Sequence, residues 1–416
     1  PSFDLHRGLL PALGWKTWEF TFGVDHSSGH SSSTGDATNA PFGQTIRRNG
    51  NTDLDPAGGA PVVLFEQQTG STIVVGPLNN FLTVVGSVAS GKFWSTGVGG
   101  EIDNLPSNFT IETLVHYSSA GITDATLGWG AALRRFHNTT RNVEDDITLS
   151  SLGYWTDNGA YFMLFDWQFA YPALWPAVKP TSEQFSTADG VAERALTMMH
   201  AYFEDIGVPV NYWQLDAWWY EMPCQCAGRC CGATPSGEPG IPPCGGPGEP
   251  KSSNSCISNF TANSTFFPSG LAALSDRVGG VGFNLYHHLF CGPETGGNSY
   301  ETMFDFQDNY VVAAQSLQFY RRIFTQGLAQ RQVSFEIDYL SRYASLSQQR
   351  ASLTNATVWL KGMADAAAEH HIPIQYCMQY PRHILESALH PAVTQARAST
   401  DYGAGPLNFF DFGHIA

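Results

Sequence analysis

Short apolar runs separated by glycine, proline and asparagine dominate the first third of the sequence. The runs at residues 62–65, 72–75 and 81–85 are rich in β-branched side chains, and turn-forming residues lie between them. This punctuation is typical of strands in antiparallel sheets. We therefore predict that residues 1–145 form a β-rich, sandwich-like domain.

Beyond residue 145, short apolar runs alternate with longer segments of helical periodicity. Helices are predicted over residues 191–206, 306–327, 345–370 and 383–389. Strands are predicted over residues 152–156, 210–215, 281–286, 333–337, 372–377 and 392–397. This alternation implies parallel strands joined by crossover helices. Because no glycine-rich phosphate loop follows the first strand, we predict a (β/α)8-type TIM barrel over residues 146–416 rather than an open sheet.

The six predicted strands do not close an eight-stranded barrel. Only 15 residues follow Asp401, whereas two more strand–helix units need at least about 50. An open barrel would leave two apolar strand edges unpaired. We therefore expect a further segment or another chain to complete the barrel.

A segment rich in cysteine, glycine and proline interrupts the barrel pattern over residues 222–265. It holds most of the eight cysteines, namely Cys224, Cys226, Cys230, Cys231, Cys244 and Cys256. Glycine and proline exclude a helix or a central strand there. The segment lacks histidine and a clean pair of CxxC motifs, so we favour disulfides over zinc and leave their connectivity open. Disulfides form in oxidising compartments, which predicts a secreted or cell-surface protein.

Five Asn-x-Ser/Thr sequons point to the same compartment. They begin at Asn108, Asn138, Asn259, Asn263 and Asn355. Surface glycosylation after secretion is the favoured interpretation, and unused sequons in a cytosolic protein are the alternative.

Charge and aromatic content narrow the class of partner. The chain carries 21 basic and 37 acidic residues, for a net charge of −16, which argues against nucleic acid or an anionic membrane as partner. Apolar runs stay well short of the roughly 18 residues of a membrane span. Aromatic residues reach 13%, and such rings suit flat, hydroxylated ligands such as sugars.

Most of the predicted barrel strands end in polar or aromatic side chains. In a (β/α) barrel these carboxyl ends meet at the rim that holds the active site. The candidates are Trp155, Asp157, Asp216, Trp218, Trp219, His287, Glu336, Asp338, Arg397 and Asp401. Carboxylates and aromatics with few cations suit a neutral polyhydroxylated substrate, and glycoside hydrolysis needs two carboxyl groups across the bond that is cleaved.

Five segments of the predicted barrel resemble those of raffinose synthases and alkaline α-galactosidases, retaining glycosidases of the melibiase type. Arg397-Ala-Ser-Thr-Asp401-Tyr resembles their Arg-Ala-Ser-Asp-Asp-Phe, and Phe335-Glu-Ile-Asp338 resembles their nucleophile strand, Val-Lys-Val-Asp. Gly153-Tyr-Trp-Thr-Asp157, Gln214-Leu-Asp216-Ala-Trp218 and Ile374-Gln-Tyr-Cys377-Met378 are similar to the family's first, second and fifth strands. Order and spacing agree over residues 150–410, and these enzymes also carry an N-terminal β-sandwich.

The resemblance implies a retaining mechanism with Asp338 as nucleophile and Asp401 as acid/base, and it implies no cofactor and no metal. Asp216 would bind sugar hydroxyls, and Trp218 or Trp219 would stack on the sugar. For both tryptophans, packing between the barrel and a loop is the alternative. Asp157 and Trp155 would shape the same subsite, and Arg397 would hold a carboxylate or a hydroxyl. His287 is expected either in the pocket or as a hydrogen-bonded core residue.

Two positions depart from the family pattern. Glu336 replaces the family's Lys two residues before the nucleophile, and Ala217 replaces the second Asp of the second strand. Both positions bind substrate in the family, so the galactose preference is open. Glu336 is expected to be either a ligand contact or a salt-bridged wall residue. The alternative to an enzyme is a non-catalytic carbohydrate-binding or structural glycoprotein built on the same barrel.

Overall fold

The computed structural model describes the chain of 416 residues except at the positions given in the next sentence. Those positions are residue 1 and residues 5–12, 19–43, 49–58, 60, 67, 90–92, 141–142, 144, 157–189, 217, 222–256, 265, 288–289, 291–298, 301–304, 308–309, 313–315, 346 and 398–416. The chain divides into two compact units. The first comprises Pro1–Arg141, Tyr339–Thr357 and Tyr376–Ala416, and the second comprises Asn142–Asp338 and Val358–Gln375. The first division lies four residues before the expected one at 145, and the first unit also takes up two later segments.

The first unit contains two antiparallel sheets. One has the order β1-β7-β6 and the other the order β3-β2-β4-β5-β8. Their bounds are Ser2–Asp4 (β1), Leu13–Trp18 (β2), Gln44–Arg48 (β3), Val62–Glu66 (β4), Thr72–Pro77 (β5), Val84–Ala89 (β6), Phe93–Val98 (β7) and Thr113–Ser118 (β8). The β-rich character predicted for this region is therefore present, and the packing of the two sheets into a sandwich stays a prediction.

Helix α1 (Ile122–His137) covers one side of the five-stranded sheet, and the sequence analysis missed it. Trp129 and Leu133 on the helix pack with Val63, Val74 and Phe81 in one apolar cluster. Gly76 makes the close approach possible, because a Cβ there would lie 2.8 Å from the Trp129 ring.

A curled parallel sheet of six strands forms the barrel part, in the order β18-β17-β16-β13-β10-β9. The strands are β9 (Gly153–Trp155), β10 (Tyr212–Leu215), β13 (Gly282–His287), β16 (Gln332–Ile337), β17 (Ile374–Tyr376) and β18 (Val393–Ala396). All six strands predicted for the barrel are confirmed. The sheet forms a half-barrel with β9 and β18 at its edges.

Helices accompany the strands of this sheet. They are α2 (Ile147–Ser150), α3 (Val191–Asp205), α4 (Gly270–Arg277), α5 (Ser316–Ala329), α6 (Leu340–Ser345), α7 (Ser347–Arg350), α8 (Asn355–Glu369) and α9 (Pro381–Ser387). One helix, α2, precedes β9, and the helices from α3 onward lie between successive strands of the sheet, as the crossover pattern requires. Two antiparallel strand pairs complete the described elements, β11 (Tyr220–Glu221) with β12 (Asn259–Ala262), and β14 (Asp305–Gln307) with β15 (Tyr310–Val312). None of the helices in the described ranges is long and apolar enough to cross a membrane.

Two of the predicted helices needed correction. The helix predicted over 306–327 begins only at Ser316, because the β14–β15 hairpin occupies its first part. The helix predicted over 345–370 is interrupted before Asn355. There the Ser352 hydroxyl oxygen accepts hydrogen bonds from the backbone N–H groups of Thr354 and Asn355, which starts α8 afresh.

Candidate active site

The central strands of the half-barrel present two chemically different faces. Side chains on a strand alternate between faces, and Gln214, Asn284 and Ser334 lie in register across β10, β13 and β16. Tyr286 and Glu336 form the next pair on the same side. We call this side the polar face. The opposite, apolar face packs against the helices, as Phe335 does against Phe324 of α5, so the polar face is the barrel interior.

Gln214 connects two carboxylates on the polar face. Its Nε2 donates to Asp216 Oδ2 and to Glu336 Oε2, both at 2.9 Å. Its Oε1 accepts from the Thr156 backbone N–H at 3.1 Å, and because that donor cannot be exchanged for an acceptor, the amide orientation is fixed. Gln375 Nε2 approaches the other oxygen of Glu336 at 3.4 Å. Gln214 is fully buried and Glu336 is 1% exposed, so Glu336 is a wall residue held by amides.

Asp338 follows β16 directly and is almost completely buried. Its Oδ2 accepts a hydrogen bond from the Tyr286 hydroxyl at 2.5 Å, within the range of charge-assisted O–H···O⁻ bonds. Its backbone N–H donates to the His287 carbonyl at 2.9 Å. Strand β13 therefore holds Asp338 through both a side chain and the backbone.

Tyr286 is the site residue that sequence reasoning missed. The polar end of β13 was recognised, but His287 was selected from it. In the structure Tyr286 lies beside Glu336 on the polar face. Strand parity relative to Glu336 and Asp338 would have selected Tyr286, since alternate residues share a face.

His287 belongs to the apolar face, which favours the core alternative over the substrate pocket, although neither ring nitrogen has a hydrogen-bond partner among the described residues. Its ring centroid lies 4.9 Å from that of Phe290, 5.4 Å from that of Phe335 and 6.3 Å from that of Tyr320. Burial in this aromatic cluster lowers the pKa of His287 to about 3, so the imidazole is neutral near pH 7. His287 is a core residue.

Trp218 and Trp219 are both fully buried. Trp218 stacks on Phe267 with ring centroids 5.7 Å apart. Trp219 meets the edge of Phe260, and its Nε1 donates to the Tyr286 carbonyl at 3.0 Å. This burial favours packing, the alternative interpretation of the two tryptophans, over stacking on a sugar. Trp219 supports the strand that carries Tyr286.

The site roles of Trp155 and Arg397 stay predictions. Trp155 is half-buried, pairs in register with Gln214, and donates from Nε1 to the Tyr212 hydroxyl at 3.2 Å. In the first unit, Arg397 Nη1 donates to the Cys377 thiol at 3.5 Å. The Cys377 side chain is buried.

Several predicted residues lie outside the described ranges. They are Asp157, Asp401 and the six cysteines of the 222–265 segment, so their roles stay predictions. The described part of the chain contains no group of three or more His, Cys, Asp or Glu side chains arranged to hold a metal ion.

The sequons differ in accessibility. Asn108, Asn138 and Asn355 are exposed. Asn259 is half-buried, and its Nδ2 donates to Thr261 Oγ1. Asn263 is only 4% exposed. A glycan needs an accessible amide nitrogen, so the burial of Asn263 argues against glycosylation there, and the other four sequons stay predictions.

Comparison with known proteins supports the fold. No protein-family model and no curated protein matches the sequence. The structure resembles the α-galactosidase of Lactobacillus brevis, with a TM-score of 0.55 and 13% identity over 99% of this chain and 51% of that one. It also resembles a GH36 α-galactosidase of Geobacillus stearothermophilus, solved with 1-deoxygalactonojirimycin, with a TM-score of 0.52 and 12% identity over 97% and 52% of the two chains. The chain spans about half the length of these enzymes. The melibiase-type resemblance read from five sequence segments is thus confirmed for the fold.

Proposed function

We propose that this chain belongs to a secreted retaining α-glycosidase of α-galactosidase type, which hydrolyses or transfers sugar units of an oligo- or polysaccharide. The observation that carries the proposal is the pair of Asp338 and Tyr286. A buried carboxylate at the carboxyl end of a barrel strand accepts a 2.5 Å hydrogen bond from a tyrosine on the same face. The fold around it resembles that of α-galactosidases.

The chemistry assigns one role to each of two carboxyl groups. Asp338 attacks the anomeric carbon while Asp401 gives its proton to the leaving glycosidic oxygen, which forms a covalent glycosyl–enzyme ester. Asp401 then removes a proton from water or from an acceptor hydroxyl, and that oxygen displaces Asp338 from the sugar. Asp401 is assigned from its motif. Tyr286 keeps the Asp338 carboxylate in one orientation throughout.

Asp216 is proposed to bind sugar hydroxyls at the same rim. Gln214 occupies its Oδ2 and thereby orients the carboxylate. Glu336, where the family has Lys, gives this region additional negative charge. We therefore propose a sugar that presents hydroxyl donors to Asp216, and we leave the choice among α-linked hexoses to the experiment.

Turnover of aryl α-glycosides tests the proposal. The wild-type protein is assayed against a panel that includes p-nitrophenyl α-galactoside and α-glucoside, beside Asp338→Asn and the exposed control Asp103→Asn. We expect turnover by the wild type and the control, and a loss of about 10⁴-fold or more in Asp338→Asn. With Asp338→Ala, azide should restore turnover and give a β-glycosyl azide, because the small anion attacks where Asp338 did. A wild type that turns over no member of the panel would refute the enzymatic proposal.

A non-catalytic carbohydrate-binding or structural glycoprotein is the second candidate. The observation that favours it is Glu336, a buried carboxylate occupied by Gln214 and Gln375 at a position where the family binds substrate. This candidate predicts that wild type and Asp338→Asn bind the same glycans with equal affinity and that neither releases product.

A further inference from the structure

We propose that the first unit holds a second ligand site, separate from the polar face of the sheet, which takes a monosaccharide-sized polyol. The site is a cavity of about 230 Å³. Its walls come from the start of β6, from the segment after β7, from helices α6, α7 and α9 and from the first turn of α8, and every lining residue belongs to the first unit.

The size of the cavity limits the ligand. Pockets for drug-sized molecules measure about 300–1,000 Å³, so this cavity suits a smaller molecule. A water molecule takes about 30 Å³ in the liquid, which makes room for about seven waters or one sugar ring. Leu82, Ile102 and Ala356 supply apolar wall that would contact the C–H groups of such a ring.

Gln349 indicates that the cavity binds a polar group. Its side chain lines the cavity and is only 5% exposed. Neither its Oε1 nor its Nε2 has a hydrogen-bond partner among the described residues. Buried amides are nearly always paired at both ends, so Gln349 requires an occupant that both donates and accepts.

The remaining polar groups also mix donors with acceptors. Arg350 Nη1 and Glu101 Oε1 form an ion pair at 2.9 Å, with both side chains about half exposed. Ser352 Oγ already accepts two backbone N–H groups, so it offers its proton. Arg382 adds a guanidinium that lies over the Tyr380 ring at 5.3 Å. Burial, reinforced by Arg382, holds the pKa of His383 well below its usual value, so this imidazole contributes no charge.

Hydroxyl groups match this mixture best. Each hydroxyl donates one hydrogen bond and accepts others, as Gln349 and the Arg350–Glu101 pair require of their partner. An anionic ligand would face the Glu101 carboxylate, and an ammonium group would face two guanidinium groups. A neutral polyol avoids both repulsions and uses the apolar wall.

Photoaffinity labelling tests the site. The intact protein is irradiated with diazirine derivatives of galactose and of glucose, and labelled peptides are mapped by mass spectrometry. We expect labels within residues 82–102 and 344–356. Gln349→Leu, which removes the unpaired amide, should lower this labelling about tenfold. Ala356→Leu, which fills the cavity and keeps every polar group, should do the same.

Three controls make the outcome decisive. The exposed Gln68→Leu carries the same chemical change on the same unit and should label like wild type. A diazirine-bearing alkyl alcohol should not label the two segments. Circular dichroism and urea midpoints verify that each variant is folded. One cavity variant removes a polar group and the other fills the cavity, so either of them tests the site if the other fails to fold. Absence of label in these segments, or equal labelling in folded cavity variants, would show that the cavity holds only water and would overturn the proposal.

Discussion

The two faces of the half-barrel sheet are built from the same strands, yet they handle ionisable side chains in opposite ways. On the polar face, Tyr286, Glu336 and Asp338 are buried and hydrogen-bonded. The Tyr286 hydroxyl donates to Asp338, and the Gln214 amide donates to Glu336. On the apolar face, His287 is buried among rings and made neutral by burial. Adjacent residues of one strand, Tyr286 and His287, therefore have unrelated tasks. The difference teaches that strand parity, rather than residue type, decides which polar side chain joins the site.

The strongest way to break this comparison is to remove the amide that connects the carboxylates of the polar face. Gln214→Leu withdraws the donor shared by Asp216 and Glu336. Removing the donor of a hydrogen bond to a buried carboxylate costs at least about 1–3 kcal/mol, and we expect a decrease of that size in the free energy of unfolding, measured in urea. The exposed Gln68→Leu should change it by less than about 0.5 kcal/mol.

A double variant separates charge burial from lost packing. Gln214→Leu combined with Glu336→Leu also removes a carboxylate that has lost the Gln214 donor, so the double variant should be more stable than Gln214→Leu alone. If Gln214→Leu stays within about 1 kcal/mol of wild type, the amide bridge has no role in holding the polar face together.

The next effect concerns activity. Tyr286→Phe removes the hydroxyl that orients Asp338 and should lower kcat for an aryl α-glycoside about 100-fold. KM should change little, because the hydroxyl acts on the nucleophile. Tyr300→Phe is the matched control: Tyr300 is equally buried and its hydroxyl donates to Gln326 Oε1 at 2.6 Å, away from the polar face. Equal activity losses in both variants would mean that general destabilisation, not the orientation of Asp338, is responsible.

A substitution on the apolar face should change the pH dependence of stability and leave the activity unchanged. The folded protein holds His287 at a pKa of about 3 against 6.5 for an ordinary histidine, so between these values the unfolded chain binds the additional proton. His287 therefore does not lower the free energy of unfolding above pH 6.5. Between pH 6.5 and about 3 it lowers that free energy by about 1.4 kcal/mol for each unit that the pH falls. His287→Leu should remove this contribution. The free energy of unfolding of the variant, relative to that of the wild type, should therefore increase by about 2 kcal/mol when the pH is lowered from 7.5 to 5, as measured by urea unfolding at both pH values.

Activity at pH 7 provides the control for His287. A core residue can be replaced without a change in kcat, so His287→Leu should retain turnover near that of wild type. A kcat that falls as far as in Tyr286→Phe would place His287 in the site after all and would cancel the distinction between the two faces.

Local sequence patterns were sufficient for the barrel strands. Each strand is an apolar run bounded by glycine, proline or polar residues, and Asp216 and Asp338 follow directly in the chain, so their place at strand ends needed no tertiary information. Helix α1 was missed although Ala125, Trp129 and Leu133 recur every four residues. This helical spacing was overlooked because the β-branched runs before it indicated strands for the whole region.

The polar network could not be read from the sequence in the same way. Gln214 and Glu336 are 122 positions apart, and their contact depends on the register of three strands. A shift of one residue along a strand moves a side chain to the other face. His287 and Tyr286 are adjacent, so selecting His287 placed the site residue on the wrong face. The choice between packing and stacking for Trp218 and Trp219 was open in the sequence as well, because Phe260 and Phe267, which contact them, follow only after residues 222–256.

The smallest expected effect distinguishes two tryptophans on neighbouring strands. Trp155 is half-buried in register with Gln214, whereas Trp213 is fully buried on the apolar face, beside Phe283. If Trp155 contacts the sugar, Trp155→Phe should raise KM about fivefold at unchanged kcat, because loss of a uniform binding contact of about 1 kcal/mol leaves the chemical step alone. Trp213→Phe should lower the urea midpoint and leave KM as it is. A KM that responds to Trp213→Phe and not to Trp155→Phe would show that ring exposure on the polar face does not mark the subsite.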